Sequence, residues 1–155
     1  MKTQTFVYVS YIKSDADAIW SALTSSEFSK QYWFGSTIRT DWKVGSEIQL
    51  INEDNVTVVV GKVLAFNKPK MLAYSWTDQK SEKGKSEAPS KVTFQIDHYE
   101  PNAEVMKLTV THEGFAENSD VFPRISNGWP MVLSNLKTML ETAKAMRMHG
   151  TCKKD

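Results

Sequence analysis

The stretch ISNGWPMVLSNLKTMLETA, residues 125–143, has the clearest periodicity in the chain. Its apolar residues recur every three or four positions, as on the buried face of an amphipathic helix. The apolar stripe consists of Ile125, Trp129, Val132, Leu133, Leu136, Leu140 and Ala143. Ser126, Asn127 and Pro130 are typical of a first helical turn, and Gly150 is typical of a helix end. We therefore predict a long helix that begins near residue 126, ends at Gly150 and buries one face.

The residues before this helix predict a group of strands. From residue 36 onwards, apolar and polar residues alternate in short runs that are separated by turn-forming residues. We expect strands near residues 38–42, 48–50, 56–66, 72–76, 92–98 and 106–112, with a first strand from Phe6 to Ile12. Two short helices follow the first strand, and the Ser14 hydroxyl is placed to cap the first of them. Strands grouped before a terminal helix predict an α+β fold with about six antiparallel strands.

Three local features give sharper predictions. If the even-numbered residues of the last two strands face inward, Phe94 must pair with Val110 and Ile96 with Leu108, which leaves residues 101–103 as the hairpin loop. Gly61 indicates a bulge or bend in a strand whose inward residues are Val58 and Val60. Residues 77–91 are rich in Lys, Glu, Ser and Gly, which predicts an exposed, mobile loop.

Length and composition restrict the class of protein. The 155 residues fit one domain, and 19 basic against 18 acidic side chains leave a net charge of +1. This balance argues against nucleic acid as the main partner. Cys152 is the single cysteine, and no run of about 18 apolar residues occurs. We expect residues 1–149 to form one cytoplasmic domain without membrane insertion, and residues 150–155 to form a disordered tail.

Several short motifs along the chain resemble those of one superfamily. The motifs are IWSALT at 19–24, YWFG at 32–35, DWKVGS at 41–46, HEGF at 112–115 and GW at 128–129. They resemble the START-like, Bet v 1-like helix-grip superfamily, also called SRPBCC, and within it the group named for homology to the activator of heat-shock protein 90 ATPase. Two turns depart from the usual pattern: no proline precedes the first helix, and Ser46 stands where a second glycine is usual.

The resemblance implies a curved sheet of about six to seven strands wrapped around the C-terminal helix, with a cavity between them. A strongly bent sheet cannot touch a straight helix along its whole length, so either large side chains or a ligand must fill the gap. The candidate ligand-binding residues are inward-facing or aromatic: Trp33, Trp42, Tyr74, Trp76, Phe94, Leu108, Val110, His112, Trp129 and Leu133. The consecutive rings of Tyr32, Trp33 and Phe34 either gate this cavity or plug one end of the core.

His112 is the inward-facing histidine with an acidic neighbour, Glu113. It is either a general base or a histidine bound to backbone or water near a strand end. In the predicted register His98 lies roughly 20 Å from it along the strands, too far to share a metal ion. With no HExxH or CxxC pattern, we expect neither a metal nor another cofactor. Arg39 and Arg124 are candidates for binding an anionic group, although Arg39 has outward parity.

Three functions remain open from the sequence. The favoured one is non-catalytic binding of a small hydrophobic molecule, lipid-like or aromatic, between sheet and helix. The second is a co-chaperone-like interaction module of the stress response, monomeric or weakly dimeric, although the sequence shows no obvious exposed apolar patch. The third is a small cyclase or hydrolase that uses His112 and Glu113.

Overall fold

The computed structural model describes residues 3–146 and contains seven strands and four helices in that range. The strands are β1 (Thr3–Lys13), β2 (Thr37–Arg39), β3 (Glu47–Ile51), β4 (Thr57–Asn67), β5 (Met71–Asp78), β6 (Ser90–His98) and β7 (Val105–Ala116). The helices are α1 (Ala16–Thr24), α2 (Ser26–Tyr32), α3 (Glu82–Ser86) and α4 (Val121–Thr142). The strands form one curved antiparallel sheet in the order β1-β7-β6-β5-β4-β3-β2, which confirms the predicted α+β helix-grip architecture.

The apolar face of α4 is buried, but the helix lies earlier in the chain than predicted. Of the predicted stripe, the residues from Ile125 to Leu136 are buried, whereas Leu140 is half-buried, Ala143 is exposed after the helix, and Met139 is buried instead.

The helix begins at Val121 because the Ser119 hydroxyl accepts hydrogen bonds from the backbone N–H groups of Val121 and Phe122, at 3.1 and 3.0 Å. The proline of its first turn is Pro123, whereas Pro130 lies in the helix interior. Both predicted ends were therefore wrong.

The C-terminal end of α4 comes well before Gly150. Ala143 adopts a left-handed conformation, with φ of 63°, and its N–H bonds the carbonyl of Met139. The buried Asn135 side chain then binds both backbone groups of Met146 and the carbonyl of Tyr32. These bonds turn the chain back along the helix. Gly150 and the predicted tail, residues 150–155, lie outside the described residues.

The predicted register of the β6–β7 hairpin is confirmed: Phe94 pairs with Val110 and Ile96 with Leu108. The loop between the two strands is longer than predicted, since β6 ends at His98 and β7 begins at Val105.

The bend in β4 arises on both sides of Gly61 rather than at it. The register shifts opposite Val58 and again between Val63 and Ala65. A Cβ at Gly61 would overlap the Ser75 carbonyl oxygen, so glycine is required there for close approach of β5. Because of the first shift, Val58 and Val59 are both buried, where simple alternation predicted Val58 and Val60.

Two predictions near the N-terminal helices also change. Asp15, not Ser14, caps α1, because its carboxylate accepts the Ala18 N–H at 2.8 Å. The strand predicted to reach Trp42 ends at Arg39, and Trp42 takes a left-handed conformation with φ of 56°. Its indole N–H donates to the carbonyl of Thr24 at 2.9 Å, which ties this loop to α1.

The charged segment at residues 77–91 is largely exposed, as predicted, but it is not a single loop. It completes β5, forms α3 and begins β6. Gly84 is buried against Asp78, and the Glu87 carboxylate accepts hydrogen bonds from the Ser119 hydroxyl at 2.5 Å and the Asp120 N–H at 2.9 Å. The prediction missed α3 because Lys83 and Glu87 bond to residues at the start of α4, which lie far away in the chain.

In the part of the chain that the structure describes, no helix is long and apolar enough to cross a membrane.

Candidate functional site

A cavity of about 240 Å³ lies between the first turns of α4 and the β3–β5 half of the sheet. One face of α4 forms its helical wall, with the i, i+3, i+4 spacing of neighbours on a helix surface. This wall consists of Val121, Arg124, Ile125, Gly128, Trp129 and Val132. A Cβ built at Gly128 meets no atom within 4 Å, so this glycine leaves part of the space open.

The other walls come from three strands and from the segment after α2. The sheet and the residues that follow its strands contribute Leu50, Asn52, Val58, Val59, Trp76, Asp78 and Lys80. The segment between α2 and β2 contributes Trp33, Phe34 and Ser36. Most of these side chains are apolar, and the charged ones are Asp78, Lys80 and Arg124. The cavity therefore combines an apolar interior with a small charged group of residues.

Three of the predicted site residues line this cavity: Trp33, Trp76 and Trp129. Their rings pack against one another. The distance between ring centroids is 5.2 Å for Trp33 and Trp129 and 5.6 Å for Trp76 and Trp129. Tyr74 borders a smaller void of about 10 Å³ beside Trp33 and Trp76. The structure thus brings four of the predicted residues together.

The other predicted residues are packed elsewhere and do not line the cavity. Trp42 packs on Phe66, while Phe94, Leu108, Val110, His112 and Leu133 are almost fully buried in the core. The gap between helix and sheet is therefore local: β6 and β7 meet α4 through filled side-chain packing, and the opening lies toward β3–β5.

Sequence reasoning missed much of the cavity wall, including Gly128, Ser36, Asp78 and Lys80. One signal was available: Gly128 falls on the predicted apolar stripe, between Ile125 and Trp129. A residue without a side chain on such a stripe indicates either close backbone contact or a gap, and here it is a gap.

The three consecutive rings before β2 have separate roles. Tyr32 is buried and donates its hydroxyl hydrogen to the Ala22 carbonyl at 2.8 Å, so it plugs the core. Burial raises the pKa of the Tyr32 hydroxyl far above its usual value. Trp33 and Phe34 line the cavity instead.

His112 is buried completely, and both of its ring nitrogens have partners. The indole N–H of Trp129 can only donate, so Nδ1 of His112 accepts that bond at 3.0 Å. The ring proton of neutral His112 is then on Nε2, which donates to the Ser90 hydroxyl at 2.9 Å. Burial lowers the pKa of His112 to about 3, so it is neutral at pH 7.

This arrangement leaves His112 no free nitrogen for a substrate, and Glu113 is exposed. The histidine holds the ring of Trp129 at the cavity wall. The sequence-based alternatives, a general base or a histidine bound to backbone or water, did not include this side-chain network.

Charged side chains meet at one part of the cavity. The Arg124 guanidinium donates through Nη2 to the Asp78 carboxylate at 3.0 Å, and Asp78 is only 5% exposed. Asp78 also accepts the Lys80 backbone N–H at 3.2 Å. Arg39, the other candidate for anion binding, is exposed on β2 and does not line the cavity.

Within residues 3–146, no group of three or more His, Cys, Asp or Glu side chains is placed to hold a metal ion. His98 pairs with Met106 and His112 with Val92, as the predicted register requires.

A curved antiparallel sheet that packs on a long C-terminal helix, with two short helices after the first strand, defines a START-like helix-grip protein. The family model described as "Activator of Hsp90 ATPase homolog 1-like protein" matches residues 13–141. The chain belongs to this family, and the resemblance stated from the sequence is confirmed.

Solved structures share the fold at low sequence identity. The Aha1 dimer from Colwellia psychrerythraea superposes with a TM-score of 0.73 at 22% identity, over 92% of this chain and 99% of that one. An HSP90 activator from Plasmodium falciparum gives a TM-score of 0.72 at 20% identity, over 88% and 95% of the two chains. A protein from Mesorhizobium loti gives 0.74 at 20% identity, over 88% and 96%. A search of curated proteins returned no match.

Proposed function

We propose that this protein binds a small, mainly apolar molecule in the cavity between α4 and strands β3–β5. The observation that carries the proposal is the cavity itself, which lies where helix and sheet separate and is lined by Trp33, Trp76 and Trp129. Its volume of about 240 Å³ is somewhat below the usual range for ligand sites, roughly 300–1,000 Å³. The occupant is therefore a molecule of about one or two rings, or a short acyl chain.

Unpartnered polar groups on the wall support a ligand that carries a hydrogen-bond acceptor. The indole N–H groups of Trp33 and Trp76 have no acceptor in the region the structure covers, although the two residues are 6% and 8% exposed. Ser36 is 4% exposed, and its hydroxyl likewise has no partner among residues 3–146. Buried donors without a partner are uncommon, and a ligand acceptor would satisfy them.

Gly128 offers a direct test, because its side chain would grow into the open space. In Gly128→Leu, the added side chain should occupy the cavity without backbone strain, and binding should fall at least tenfold. Asn127→Leu is the matched control, since Asn127 is an exposed neighbour on the same helix. Binding of the neutral two-ring probe 2-naphthamide would be followed by calorimetry and by the indole N–H signals of Trp33 and Trp76. No saturable binding to the unmodified protein, or equal binding by both variants, would contradict the proposal.

The second candidate function is interaction with a chaperone of the Hsp90 type. Family membership and the similarity to an HSP90 activator favour it, together with an exposed apolar stripe on the sheet-edge strand β1. Val7, Val9 and Tyr11 alternate along this strand and are 56%, 42% and 46% exposed. Such a stripe on an edge strand is typical of a surface that contacts another protein.

This second candidate is tested with purified Hsp90. The protein should raise the ATPase rate of the chaperone, and Val9→Lys should reduce that effect. Val44→Lys serves as the control, because Val44 is 67% exposed and lies outside β1. An unchanged ATPase rate at saturating protein would contradict this candidate function. Equal effects of the two variants would exclude β1 as the contact surface.

A further inference from the structure

The charged side chains at the cavity carry more positive than negative charge. Arg124 and Lys80 line it together with a single carboxylate, that of Asp78. Asp78 neutralises one of the two cations, because it pairs with Arg124 at 3.0 Å. The Lys80 ammonium forms no ion pair with any residue between 3 and 146. One positive charge therefore remains beside an apolar cavity.

Arg124 is held in place and still has donors to offer. Its Nη2 bonds Asp78 and, at 3.4 Å, the Ser81 hydroxyl, while its Nε donates to the Asp120 carbonyl at 3.4 Å. Its Nη1 has no acceptor within the described range. A guanidinium fixed on one side, with N–H groups free on the other, is suited to a planar carboxylate.

The net charge also discriminates between anions. A single excess positive charge matches a monoanion, whereas a phosphate dianion would bring its second charge close to the Asp78 carboxylate. The apolar walls of Trp33, Trp76 and Trp129 account for the rest of the ligand. These two features together describe a molecule with an apolar body and one carboxylate.

We infer that the ligand is a small aromatic or aliphatic monocarboxylate, whose carboxylate binds Arg124 and Lys80 and whose apolar body fills the cavity. This inference rests on the proposed function, since it names the chemical class that the same cavity selects. Arg124 is then the residue that determines specificity, and the tryptophans bind carboxylates and neutral analogues alike.

The experiment compares 2-naphthoate with 2-naphthamide, which has nearly the same shape and no charge. The protein should bind 2-naphthoate at least tenfold more tightly than 2-naphthamide. Added salt should weaken the binding of 2-naphthoate only. Arg124→Met should remove most of this preference and leave the amide affinity within about twofold. Lys80→Met, at an exposed position, should lower the carboxylate affinity several-fold and offers a variant whose folding is not at risk.

Arg39→Met is the matched control, because Arg39 is exposed and outside the cavity, and it should change neither affinity. Equal affinities for the two probes, or equal losses in Arg124→Met and Lys80→Met for both probes, would overturn the carboxylate assignment while leaving the cavity proposal intact. Tighter binding of 2-naphthyl phosphate than of 2-naphthoate would also overturn it. Binding of none of these probes would overturn both.

Discussion

At the scale of single residues, the arrangement with most consequences is the chain of hydrogen bonds from Trp129 through His112 to Ser90. It places a polar network in the core, where an unpaired donor or acceptor costs free energy. His112 accepts from one cavity residue and donates to a residue at the start of β6. The network therefore links the orientation of the Trp129 ring to the sheet behind it.

Removing the indole donor should reveal the strength of this link. Trp129→Phe leaves Nδ1 of His112 buried without a partner, which should cost about 1–3 kcal/mol beyond the loss of ring volume. Trp20→Phe is a matched control, because Trp20 is equally buried and its indole N–H bonds no residue in the described structure. Urea denaturation measures both variants, and equal losses of stability would contradict the assigned bond.

The pKa of His112 predicts how stability depends on pH. The folded-state pKa of about 3 lies below the unfolded value of 6.5, so unfolding takes up a proton at intermediate pH. The contribution of neutral His112 to the free energy of unfolding is fully present above pH 6.5. It should decrease by about 1.4 kcal/mol per pH unit as the pH falls from 6.5 towards 3. His112→Gln, which keeps one acceptor and one donor, should flatten the slope in urea denaturation at pH 7, 6, 5 and 4. An identical slope in both proteins would show that other groups cause the dependence.

At the scale of elements, α3 and the residue after it connect the β5–β6 segment to α4. The Glu87 carboxylate binds the hydroxyl of Ser119 and the N–H of Asp120, and Lys83 pairs with Asp120 at 3.0 Å. Ser119 in turn caps α4. The charged segment therefore helps to decide where the long helix begins, and it brings Asp78 and Lys80 to the cavity.

Glu87→Gln tests this connection. The variant loses the charge that strengthens both hydrogen bonds, and we expect a loss of about 1 kcal/mol. Increased hydrogen exchange should appear at the N–H groups of residues 120–122. Glu82→Gln is the control, because the side chain of Glu82 is 94% exposed and has only a 3.7 Å contact with Lys85. A similar loss in the control would show that net charge, not capping, is responsible.

At the scale of the whole molecule, side chains of β6 and β7 pack on α4, and a cavity separates the helix from β3–β5. The two bulges flanking Gly61 bend β4, and the helix wall has a gap at Gly128. Apolar surface that lines a cavity has fewer packing contacts than apolar surface inside a filled core.

Gly128→Ala should therefore stabilise the ligand-free protein by about 0.5–1 kcal/mol, because alanine favours helix and the added methyl group meets only open space. Gly61→Ala should have the opposite effect, since its Cβ would overlap the backbone of Ser75. Thermal unfolding measures both variants. A loss of stability in Gly128→Ala would indicate that the space at this position is already filled.

The sequence predicted the architecture well, because the spacing of apolar residues along the chain sets which face of an element is buried and which residues of a hairpin pair. The stripe of α4 and the pairing of Phe94 with Val110 follow from spacing alone. The ends of α4 and the helix α3 were not predicted because their polar groups bond to residues distant in the chain, such as Glu87 with Ser119.

For the candidate site, the sequence identified the tryptophans and Arg124 as residues of interest but did not show which of them would meet. Whether an inward side chain lines a cavity or fills the core depends on a few ångströms of separation between helix and sheet.

By itself the sequence determined the family, the order of the strands and of the long terminal helix, and the face that most of them bury, since these depend on the pattern of apolar residues. Only the tertiary structure decided that the opening lies at β3–β5, that His112 holds Trp129, and that Arg124 and Lys80 leave one positive charge beside the cavity. These features depend on the curvature of the sheet and on contacts between residues far apart in the chain, which no local pattern encodes.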